Sequence, residues 1–151
     1  MRQGRRAGFV AMLAAALLSL APAHAAQSGS AAEVFKVHLS PVPISIPMMS
    51  TIAGVGSLTA TLNGKQLTIQ GTFEGLRSPA TTVQIHRGPK GIPGPAITEL
   101  NLTVTKAEKG AVSGTLSLTP DQIADLKGGR LYVQIQSERA PDGNLWGWLL
   151  K

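Results

Sequence analysis

The chain has 151 residues, no cysteine and a formal charge of +6. Without thiols neither a disulfide framework nor a thiolate metal site is available, so stability must come from packing and backbone hydrogen bonds. Three of the fourteen basic residues, Arg2, Arg5 and Arg6, lie in an N-terminal leader; eleven then face eight acidic residues, and a balance of +3 is too mild to argue for a nucleic-acid partner.

In residues 1–25 those arginines precede an apolar run over 7–21 and the small triplet Ala23-His24-Ala25. These are the three parts of a secretory signal peptide, with cleavage expected after Ala25 or Ala26 and delivery to the periplasm or beyond. The run falls short of the roughly 20 residues a spanning helix needs, so no transmembrane segment is expected once the leader is removed. Arg5 and Arg6 open a twin-arginine pattern, but Gly8 stands where that signal carries a large apolar residue, which favours the general secretion route. Residues 26–32 are small and polar and read as a flexible junction to a single domain over 33–151.

Within that domain Phe35, Val37 and Leu39 alternate with Lys36 and His38, the period of a half-buried strand whose core face excludes His38. Pro41, Pro43 and Pro47 interrupt the next apolar segment, which predicts an extended edge or loop. Asn63-Gly64 marks a two-residue hairpin turn; with that loop Leu62 faces Lys65, Ala60 faces Leu67 and Leu58 faces Ile69. Further strand patterns follow over 81–86, 96–105, 111–119 and 131–136, and a closing strand contains Trp146 and Trp148. One helix interrupts them near 120–127, with Thr119 as N-cap, Pro120 at its first position and Gly128 after Lys127. Short strands at this spacing predict an all-β sandwich or barrel of about seven or eight strands.

The pleat over 81–86 turns Val83 and Ile85 to one face and Gln84 and His86 to the other; over 131–136 Val133 and Ile135 likewise oppose Tyr132, Gln134 and Gln136. With the aliphatic faces inward, Gln84, His86 and Gln136 share the outer side. A histidine there hydrogen-bonds one of the amides or a loop carbonyl, unless it binds a metal. Trp146 and Trp148 fall on the same side, where exposed indoles would suit a partner or a sugar ring, unless the N-terminal segment or the Pro-rich loop covers them. The loop over 88–95 holds three Gly-x-y triplets, too few for a collagen helix, and is expected to be a rigid connection. Arg87, Lys90 and Arg139 near it form a modest anion-attracting edge. Met48 and Met49 offer thioethers that would suit cuprous copper beside His38 or His86. No nucleophile elbow, phosphate loop or paired-carboxylate spacing is present.

From about Val34 to Leu150 the chain resembles the CHRD domain, the module named from chordin and also found in exported bacterial proteins. The resemblance is carried by Phe73-Glu74-Gly75-Leu76, Val83-Gln84-Ile85-His86, Gly88-Pro89 to Gly94-Pro95, the approach over 126–133, and Pro141-Asp142-Gly143-Asn144-Leu145-Trp146-Gly147. It implies an immunoglobulin-like Greek-key β-sandwich similar to copper/zinc superoxide dismutases, with a His-x-His pair, a further His in the penultimate strand and a closing Gly-Glu-Ile-Arg-Gly. Here Gln84 replaces the first His, His86 keeps the second, Gln136 replaces the third, Asn144 stands for the Glu and Trp146 for the Arg. Glutamine is a weak ligand for copper or zinc. The expectation is therefore a noncatalytic binding or structural module of the bacterial cell envelope with no cofactor. Its binding surface comprises Gln84, His86, Arg87, Lys90, Gln136, Trp146 and Trp148, and its partner is an envelope protein or glycan. The alternative is a periplasmic copper-binding protein or weak dismutase-like enzyme that uses His86 as a metal ligand.

Overall fold

The computed structural model describes residues 31–151. The leader and all but the last two residues of the junction lie outside them. In chain order the elements are β1 (Glu33–Pro41), a 3-10 helix (Ile46–Ser50), β2 (Val55–Asn63), β3 (Gln66–Glu74), β4 (Ala80–Arg87), β5 (Ala96–Asn101), β6 (Thr103–Val104), β7 (Gly110–Ser117), α1 (Pro120–Lys127), β8 (Leu131–Ser137) and β9 (Ala140–Trp148). All the strand pairs are antiparallel, and they join in the order β5-β4-β8-β9-β1-β2-β3-β7-β6.

Among the described residues the all-β class and the one α-helix are as the patterns require, but the strand count is nine. The extra strand arises because the run over 96–105 breaks at Leu102: β5 pairs with β4 at one end of the order, and β6 pairs with β7 at the other. One stretch of chain thus occupies both edges and nearly closes the sheet. The pairings run on through β9 and β1 as one sheet, so they do not bear out the separate sheets of a Greek-key sandwich like superoxide dismutase.

The core follows the alternation. Phe35, Val37 and Leu39 of β1, Val83 and Ile85 of β4, Val133 and Ile135 of β8, and Leu145 of β9 all enter one buried cluster. Full burial of such a side chain contributes about 1.5–3 kcal/mol. The β2–β3 hairpin departs from expectation in register. Its turn is Gly64-Lys65 behind an Asn63↔Gln66 pair, so that Leu62 faces Leu67, Ala60 faces Ile69 and Leu58 faces Gly71. A slip of two residues leaves every side chain on its own face, so hydrophobic pattern alone does not select between the two registers. Opposite Leu58, Gly71 has no side chain to contest the space.

α1 begins with a capping box: Gln122 N–H donates to Thr119 Oγ1 at 3.3 Å, and Thr119 N–H donates to Gln122 Oε1 at 2.9 Å. The Pro-rich segment after β1 forms a loop and the 3-10 turn; Ile46 and Met49 on it are exposed. No helix among the described residues is long and apolar enough to cross a membrane.

The seam between β1 and β9 is narrow. The two strands pair at Ser40↔Trp146 and Pro41↔Leu145, and again through the Lys36↔Leu150 bridge. Between these points a Cβ on Gly147 would stand 2.4 Å from the His38 carbonyl oxygen and 2.7 Å from Val37 Cγ1. Only hydrogen fits there. Gly147→Ala is expected to cost about 1–3 kcal/mol in urea denaturation, as overpacking against backbone does; an unchanged midpoint would show that the seam gives way freely.

Glu33, at the start of β1, accepts from Lys127 Nζ at 2.6 Å and also pairs with Lys151. The hydrogen bond from Lys127, then that from Lys151, holds its carboxyl below the usual carboxylate range. A depressed folded value adds stability above the unfolded value, and that stability is lost as pH falls through the folded value. In urea midpoints measured against pH, Glu33→Gln should lie slightly below wild type near neutrality and converge with it in acid. The difference should shrink in high salt.

Candidate functional site

The register of β4, β8 and β9 builds the outer face row by row. Gln84 lies opposite Gln134, which lies opposite Trp146; His86 lies opposite Tyr132, which lies opposite Trp148. Gln84, His86, Gln136, Trp146 and Trp148 thus share the face that the alternation assigns them. That face is covered rather than open: His86 and both tryptophans are each 8% exposed, and Tyr132 is 1% exposed. Val42 and Leu150 pack against the aromatic residues, and the loop over 88–95 folds back onto them.

Aromatic side chains fasten that loop. The His86 ring stacks on Tyr132 with centroids 5.0 Å apart, Tyr132 meets Trp148 at 4.7 Å, and Trp146 meets Trp148 edge-on at 4.7 Å. His86, Tyr132 and Trp148 then each grip a loop backbone atom. Trp148 Nε1 donates to the Gly88 carbonyl at 2.9 Å. Tyr132 Oη accepts from Gly94 N–H at 2.9 Å and donates to the Gly94 carbonyl at 3.1 Å. His86 Nδ1 lies 2.9 Å from that same carbonyl. A carbonyl only accepts, so Nδ1 carries a proton. Nε2 is buried and makes no hydrogen bond among the described residues. Glycine at 94 is a steric requirement, because a Cβ there would stand 1.7 Å from the Arg87 carbonyl oxygen.

The amides form a separate ladder. Gln136 Nε2 donates to Gln84 Oε1 at 3.1 Å, Thr82 Oγ1 donates to Gln136 Oε1 at 3.0 Å, and Gln134 Nε2 donates to the Asp142 carbonyl at 3.0 Å. Gln84 and Gln136 therefore bond to each other, while the imidazole turns to the loop. Asn144 is fully buried: its side-chain oxygen accepts from Ala53 N–H at 3.2 Å and its main-chain oxygen from Val42 N–H at 3.0 Å, which straps both ends of the Pro-rich segment.

The basic residues divide. Arg87 Nε contacts Asp125 Oδ2 at 2.6 Å, and Arg130 holds the other oxygen of that buried carboxylate at 2.8 Å. Arg87 thereby ties the loop base to α1 and offers less free charge than the sequence suggests. Lys90, at the exposed loop tip, has no ion pair among the described residues. Met48 and Met49 sit on the 3-10 turn, and neither lines a groove bordered by His38. Sequence reading placed Tyr132 on the correct face without a role; its only signal was a lone phenol among glutamines. Gly94 was one glycine among several in the loop.

The model of the CHRD domain matches residues 21–149, and the chain belongs to that family. No curated protein and no solved structure matches it.

Tyr132→Phe should isolate the clamp. It removes the hydroxyl and leaves the Gly94 amide without its acceptor, at a cost of about 1–3 kcal/mol. Urea denaturation reads the loss, and hydrogen exchange should show the Gly94 amide opening faster than strand amides; equal exchange in both proteins would contradict the clamp.

Proposed function

We propose that this CHRD domain is an exported, noncatalytic binding or structural module of the bacterial cell envelope, periplasmic or secreted, that displays the loop over 88–95 to an envelope protein or glycan. The observation that carries this reading is the use of His86. Its Nδ1 proton holds the Gly94 carbonyl, so the imidazole acts as a loop anchor. A loop fastened through Gly88 and Gly94 keeps Lys90 and the 57%-exposed Ile92 at its tip in one conformation. Such preorganisation lowers the ordering cost of binding.

The residues at the family's metal positions do not fit copper or zinc. Two of the three are neutral amides already bonded to each other. Borderline metals prefer imidazole or thiolate donors. Trp146, in place of the family's arginine, supplies no cation to draw an anion toward a metal.

The test is metal retention by the purified mature protein after incubation with Cu(II), then with Cu(I), beside His86→Ala. The expected result is no stoichiometric copper in either protein. Sub-micromolar binding that disappears in His86→Ala would overturn the reading and restore a copper protein.

A further inference from the structure

Beside the fastened loop the β1–β9 seam opens into a groove of about 600 Å³, a volume within the range of small-molecule sites. Lys36 and His38 line it from β1, Trp146 and Trp148 from β9, and Lys90 and Lys151 border it as well. These residues are far apart in sequence, and only the seam and the folded-back loop bring them together. The indoles keep 8% of their surface exposed, so the wall they present is an indole margin rather than a fully open ring face.

The charge in the groove is one-sided. Among the described residues no Asp or Glu side chain lines it. Lys151 is offset by Glu33, which it shares with Lys127. Lys36 Nζ reaches only a neutral hydroxyl, that of Thr59 at 3.2 Å, and Lys90 has no ion pair among the described residues. Among the described residues Lys36 and Lys90 thus have no carboxylate partner, and both line the groove that the indoles border.

We propose that this groove binds an acidic saccharide, with a sugar ring against the Trp146 and Trp148 margin and its carboxylate between Lys36 and Lys90. The assignment rests on the binding-module reading and names the ligand class for it. Pyranose C–H groups suit an indole wall, and an ammonium is a point charge with several donors for carboxylate oxygens. A neutral sugar leaves both ammoniums unmatched. An extended peptide finds no strand edge to join, since β1 and β9 are both interior to the sheet order.

Trp146 and Trp148 are the two tryptophans of the chain, so intrinsic fluorescence reports on the groove directly. Tetragalacturonate titrated into the mature protein should give a saturable change in emission, and cellotetraose should give none. Lys36→Gln and Lys90→Gln exchange exposed side chains and should each weaken the apparent affinity about three- to tenfold; salt near 1 M should weaken it further by screening. No saturable change up to 10 mM ligand (roughly the weakest binding a dedicated site would show), an equal response to the neutral tetrasaccharide, or full affinity in the Lys36→Gln, Lys90→Gln double variant would each overturn the assignment. Stoichiometric copper that depends on His86 overturns the underlying reading instead, so the two failures are distinguishable.

Discussion

A single residue, Gly94, organises the outer face of this domain. Its carbonyl receives both His86 and Tyr132, and its N–H returns to the Tyr132 hydroxyl. With no side chain at 94 the loop comes close enough for these bonds to form, and once formed they convert the outer face of β4, β8 and β9 into a second, aromatic core. The principal aliphatic core lies on the other side of the same strands. The sheet is thus packed on both faces in this region, which explains why β8 is buried at every position.

The same face takes Gln134, Gln136 and His86 almost wholly out of water. Gln84 and Gln136 bond to each other, and His86 holds the Gly94 carbonyl. An amide is both donor and acceptor, so Gln136 bridges Gln84 and Thr82. Burial of polar groups is tolerable only where they are paired, and the glutamines meet that condition locally.

Much of this was legible in the residues. Period-two alternation placed Val83, Ile85, Val133 and Ile135 inward and their neighbours outward, and the helix signals at Thr119, Pro120 and Gly128 located α1, because both depend on local geometry. Long-range facts were not legible. Whether an outward face meets solvent depends on where the loop over 88–95 folds, and that is decided by partners 38 residues apart at Gly94 and Tyr132. The hairpin register was ambiguous because a two-residue slip conserves faces. The break at Leu102 was hidden inside a continuous strand pattern, and the lysine cluster was invisible because positions 36, 90 and 151 meet only in three dimensions.

That break has a consequence for how the domain behaves among its own copies. Sheet edges invite pairing with other chains, and natural proteins shorten or shield them. Here the terminal strands of the order are β5, in irregular register with β4, and β6, only two residues long. Both come from one connected stretch, so a neighbouring molecule finds little free ladder to extend. A cysteine-free protein gains from this a built-in resistance to fibrous self-association.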